Sequence, residues 1–185
     1  MMLSGYLNSL LTSVYCLSPL ELAVFGTYAA LVFCMVLRKC GHRRWVRQCF
    51  VFGLVLWAAG VLWITILSRE DNGASQPSWI LFHSYREAFA ENRPEILRSS
   101  MMNVALFFPA GLLWVGLCSR RCSVRRQMLS LLPAFFLFSL GIELSQYVLR
   151  LGMAEIDDVM HNTLGAVLGF IAFRLADETF RMGSQ

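Results

Sequence analysis

The chain has 185 residues, of which 57% are hydrophobic and only 15% charged, with a net charge of +4. A soluble domain carries roughly 25% charged residues, so this composition excludes an ordinary water-soluble globule and makes lipid the solvent to reason with. No nucleic-acid partner is expected of it, and the chain reads as one domain over 1–185.

The first residues, MMLSGYLNSLLTSVYCLSPLE, have neither a basic leader nor a small-residue cleavage pattern and read as mature sequence. Leu3, Leu7, Leu10, Leu11 and Val14 form a helical stripe. That stripe predicts either an interfacial helix over 3–17 or an amphipathic helix packed on the bundle. Five windows then have the length and apolarity of transmembrane helices: 20–37, 46–67, 102–118, 128–148 and 158–176. Residues 68–100 mix charges, prolines and aromatics and read as the one long loop.

Basic residues set the orientation of short loops. Segment 38–47 carries five lysines and arginines and no acid, and 119–126 carries four and no acid. Segment 68–100 has four against five acids, and 149–157 has one against two. The alternation predicts an N-terminus outside, basic loops in the cytoplasm and a cytoplasmic C-terminus. It also gathers Arg69, His83, Arg86, Asn103, Glu143, Gln146, Arg150, Asp157, Asp158 and Asn162 at the outer side. The expectation is an outward-facing polar pocket, because an ionisable group at membrane depth costs several kcal/mol unless paired or watered.

Glu143, Gln146 and Arg150 are spaced to share one helix face, as a helix clamp or as a headgroup site. Asp158, Asn162, Gly165 and Gly169 share another, with the glycines spaced for close helix packing. Either Asp157 or Asp158 suits the N-cap of the last span. Asn103 opens the third span, as a cap or as a pocket residue, and Pro109 is expected to kink it. No metal site or cofactor is expected: no tight ligand motif occurs, and helical geometry turns His161 about 60° away from the Asn162 side of its helix. The cysteines read as small apolar fillers.

Three ordered blocks resemble those of the VanZ-like family. They are Asn103-Val-Ala-Leu-Phe-Phe-Pro109-Ala-Gly111, Ile142-Glu143-Leu-Ser-Gln146 and Ile156-Asp157-Asp158-Val-Met-His-Asn162-Thr-Leu-Gly165-Ala. Thr65-Ile-Leu-Ser-Arg69 and Leu81-Phe82-His83-Ser84-Tyr85 resemble its weaker blocks, so the likeness spans about residues 60–172. Gly152-Met153-Ala154 departs from the pattern where an arginine is expected; Arg150 replaces it or the contact is absent. The resemblance implies a small bacterial plasma-membrane protein, linked in its founding members to low-level teicoplanin resistance. It implies no known reaction.

The fold expectation is therefore an all-α polytopic membrane bundle of about five spans plus the N-terminal segment. The leading functional expectation is a protein binding a lipid headgroup or amphipathic envelope ligand. Arg69, Arg86 and Arg150 would hold phosphate or carboxylate. Glu143, Asp157 and Asp158 would orient them, and Asn103, Gln146 and Asn162 would supply neutral hydrogen bonds. The alternative is an enzyme on a lipid-linked substrate, with Glu143 or Asp158 as general base. A transporter ranks last, because the inner halves of the spans lack polar residues. The number of copies in the assembly stays open.

Overall fold

The computed structural model describes residues 44–70, 77–92, 94–118 and 122–182. The expected helix over 3–17 and span over 20–37 lie outside the described residues. The described residues contain five α-helices: α1 (Arg44–Leu62), α2 (His83–Ala90), α3 (Pro94–Leu117), α4 (Val124–Val148) and α5 (Ile156–Met182). All but α2 are long and apolar enough to cross a membrane, and no strand occurs among the described residues. The chain is an all-α membrane protein. The spans are helical because lipid leaves the backbone no cheaper way to satisfy its hydrogen bonds.

The spans fall close to their expected places, with two differences. Residues 68–100 are not one loop: they contain the short helix α2, and α3 begins at Pro94. The polar residues before Met102 extend α3 beyond the apolar window, which hydropathy cannot register. Asn103 therefore lies in the third turn of α3 and is half-buried, neither opening nor capping the helix. Helix α3 runs unbroken through Pro109.

The core is the contact between α3 and α5. Gly111 lies against the backbone of Ala166 and Phe170, Gly165 against Val104, and Gly169 against Phe108. A methyl group at any of the three would meet backbone atoms inside van der Waals distance, so these positions admit only hydrogen. Aromatic rings fill the other interfaces. Trp57 of α1 packs edge-on against Phe107 of α3 and Phe135 of α4, and its ring N–H donates to Leu106 O at 2.8 Å. Phe52, Val55 and Leu56 on α1, and Trp63 just past its end, are exposed, as a lipid-facing surface requires.

Three ends of helices carry the polar chemistry. Helix α1 finishes in a π-helical turn, Trp63–Leu67, closed by Ser68 N donating to Trp63 O at 2.8 Å. Helix α4 finishes with Leu151 N donating to Gln146 O (2.9 Å) and Arg150 N to Tyr147 O (3.3 Å). That is the Schellman pattern, and Arg150 occupies its left-handed position at φ 58°. Helix α2 starts after Phe82, also left-handed at φ 63°. These ends, with the starts of α3 and α5, lie together at one end of the bundle.

Candidate functional site

The link between α2 and α5 is a carboxylate. Asp157 is buried and accepts from Phe82 N (2.7 Å), Ser84 N (3.0 Å) and Ser84 Oγ (2.9 Å). Helix N-termini present unpaired N–H groups and a partial positive charge, so a carboxylate is their best partner. Asp157 thus caps a helix more than seventy residues upstream, not its own. Beside it the extended segment before α2 pairs with the chain entering α5: Ser78 N donates to Ala154 O at 2.9 Å and Ile156 N to Ser78 O at 3.1 Å.

Ser84 joins a second carboxyl group, with its Oγ 2.6 Å from Glu155 Oε2. One hydroxyl proton serves only one of these two carboxyl groups at a time. Burial pushes the Glu155 carboxyl up; the Ser84 contact opposes this, and the charges of Asp158, Asp157 and Glu87 add to it. The backbone N–H of Glu155 donates to Glu143 Oε2 at 3.1 Å, which tethers the α4–α5 connection to buried Glu143.

The two amides expected at the site hold helices together. Gln146 Nε2 donates to Thr65 O at 2.9 Å, satisfying a carbonyl left over at the end of α1. Asn162 Nδ2 donates to Ser139 Oγ at 2.8 Å, joining α5 to α4 one turn below Glu143. The expected shared face of Glu143, Gln146 and Arg150 breaks at its last member. Helix α4 ends at Val148, and the left-handed turn sends Arg150 outward, exposed. The guanidinium beside Gly152 belongs to Arg69, whose Nη1 would lie 3.4 Å from a Cβ at that glycine. Arg69 and Arg86 are also exposed. His83 is half-buried, 3.8 Å from Glu87 Oε2.

A cavity of about 250 Å³ opens between α2, α3 and the start of α5. Ser84, Glu95, Ser99, Ser100, Glu155 and Asp158 line it around Ile96. Of the nine residues singled out from sequence, Asp158 alone is in this wall. Ser84 had appeared only inside a motif block, and the four residues from α3 were hidden by reading 68–100 as loop. His161 was missed too: it is buried, with its Nε2 2.7 Å from Tyr85 Oη and its Nδ1 3.9 Å from Asp158 Oδ1. Helical periodicity turned it away from Asn162 correctly, but α2 arrives on that other side. Among the described residues, no three His, Cys, Asp or Glu side chains are placed to hold one metal ion.

No curated protein and no solved structure matches the chain. The family model described as VanZ/LLP1 matches residues 25–177. The match covers α1 to α4, α5 as far as Asp177 and every residue of the cavity wall, so the chain belongs to the VanZ/LLP1 family.

Proposed function

We propose that this protein binds the polar headgroup of an amphiphile at the outer face of a bacterial plasma membrane. One observation carries the reading: the polar cavity is continuous in the chain with an exposed apolar segment. Trp79, Ile80, Leu81 and Phe82 are all exposed immediately before Ser84, and Phe89 is exposed on α2 itself. Exposed aromatic and aliphatic side chains at a bundle end belong at the lipid–water interface. An occupant would then keep its tail in lipid while its headgroup entered the cavity. The arginine-rich segments 38–47 and 119–126 support the outward orientation, which suits the family's link to teicoplanin, whose target is exposed outside the cell membrane.

The test is native mass spectrometry of the protein released from detergent micelles. The wild type should carry a bound amphiphile, and Ser99→Trp, which fills the cavity from an exposed position, should lose it without losing fold. Equal retention by both proteins would remove the cavity from the function.

A second reading rests on the 2.6 Å contact between Ser84 and Glu155 in the cavity wall: an enzyme on a lipid-linked substrate, with Ser84 as nucleophile and Glu155 as base. Covalent modification of Ser84 by a fluorophosphonate would favour it. Of the bases expected from sequence, Asp158 lines the cavity, whereas Glu143 is absent from its wall.

A further inference from the structure

We infer that the cavity recognises an ammonium group, the amine of an amphiphile's headgroup, seated among Glu95, Glu155 and Asp158. This rests on the headgroup reading and specifies its chemistry. The sequence had pointed the other way, to arginines holding a phosphate or carboxylate. Three carboxyl groups and three serine hydroxyls face the cavity. Among the described residues in its wall there is no lysine, arginine or histidine. Arg69, Arg86 and Arg150 are exposed and outside it. An anionic group entering there would meet charges of its own sign in a partly desolvated space, where such repulsion is strongest. A cation meets the opposite.

Size and geometry choose among cations. A volume of about 250 Å³ is several times the roughly 30 Å³ that one water occupies in the liquid, so the space suits an amine with its adjoining carbons. A bare divalent ion wants a tight oxygen cage at about 2.3–2.6 Å, and no three of these side chains are placed to form one. An ammonium group has three N–H donors that point apart and can reach separate acceptors.

A second observation lies just behind that wall. His161 is only 6% exposed, its Nδ1 has no hydrogen-bond partner, and that atom faces the Asp158 carboxylate of the cavity. A buried ring nitrogen with unmet capacity beside a cavity carboxylate is a group waiting for the polar arrangement to be completed. Burial and the neighbouring acids push the Glu155 carboxyl up, a condition that a bound cation would relieve.

The experiment uses the full-length protein in maltoside micelles, with binding read by native mass spectrometry. The probes are short-chain phosphatidylethanolamine, phosphatidylcholine and phosphatidylglycerol with equal tails, ethanolamine alone, and calcium chloride. The ethanolamine lipid should bind at least tenfold more tightly than the glycerol lipid. Glu95→Gln, at an exposed position, and Asp158→Asn should each reduce that preference severalfold, and Glu91→Gln should leave it unchanged. Competition by ethanolamine alone at similar concentration would assign the site to a free amine; failure to compete would assign it to the lipid. Both outcomes keep the ammonium inference. Equal binding of the three lipids, still abolished by Ser99→Trp, overturns the ammonium inference and leaves the headgroup reading standing. Lipid binding that Ser99→Trp does not reduce overturns both. Saturable calcium binding with the same sensitivity to substitution, and no headgroup preference, makes this an inorganic cation site and also overturns the inference.

Discussion

Asp157→Asn should detach α2 from the bundle while leaving the spans intact. The carboxylate accepts two backbone N–H groups and one hydroxyl, at 2.7, 3.0 and 2.9 Å. Asparagine keeps one acceptor oxygen and turns an N–H₂ toward the second amide, leaving that donor unpaired. Losing a charge-assisted hydrogen bond costs about 1.5–3 kcal/mol and a buried unpaired donor about 1–3, so a combined loss of about 3–4 kcal/mol is expected. Helix α2 has eight residues, well below the roughly 12–15 at which an isolated helix becomes even marginal in water, so it depends on tertiary contacts such as this one. The loss is therefore local. Hydrogen exchange in micelles should show protection of residues 83–90 falling about 10²–10³-fold, at about 1.4 kcal/mol per tenfold, with α4 and α5 unchanged. Unaltered protection of α2 would refute the capping argument. An equal loss in all helices would show instead that Asp157 supports the whole bundle.

Gly165→Leu should abolish the folded bundle and Gly165→Ala should cost about 1–3 kcal/mol or more, because the added methyl meets the Val104 backbone; melting in detergent measures both. Arg150→Gly should raise stability by a few tenths to about 1 kcal/mol, since Arg150 sits at φ 58° and glycine has no Cβ to strain there. A fall in its melting temperature would mean that the arginine makes a contact worth more than the strain. The Glu155 carboxyl lies above its ordinary 4.5 because of burial, so the folded state binds its proton more tightly than the unfolded one. Its stabilising contribution is complete below that value and is lost as pH rises through the raised one. Glu155→Gln should then gain on the wild type in melting temperature as pH increases from 4.5; parallel curves would refute the assignment. With native cysteines replaced, an impermeant maleimide should label Glu87→Cys on intact cells and Ser123→Cys only after permeabilisation, and the reverse would invert the proposed orientation.

What could be read from the sequence followed from what lipid demands. The limits of α1, α4 and α5 came within a few residues because apolar length is the requirement for crossing. The glycine face of α5 was legible for the same reason: only close backbone approach explains that spacing, and Val104 and Phe108 supply it. Helix α2 was not legible. It is short and polar, and its cap comes from a residue 73 positions away, so no local signal announces it. Arg150 was misplaced because periodicity assumes that the helix continues, whereas a Schellman turn ended it two residues earlier. His161 shows the remaining limit: a helical wheel says which residues share a face, not what packs there.

The polar residues at this end of the bundle divide by what their atoms already do. Asp157 is saturated by α2, Gln146 holds the end of α1, and Asn162 holds Ser139. Substituting any of these disturbs a helix-to-helix bond, so a lost phenotype there would not distinguish ligand from scaffold. Glu143 is of the same kind, since its carboxylate tethers the chain entering α5. Glu95, Ser99 and Asp158 differ, because they face open volume instead of another helix's backbone. Ser99 is also exposed, so its replacement creates no cavity and strands no buried donor. A protein whose only need were to hold its helices together would lose nothing at this position. Sensitivity of drug tolerance to Glu95→Gln or Ser99→Trp, with unchanged melting, is thus the measurement that turns a polar bundle end into a binding site.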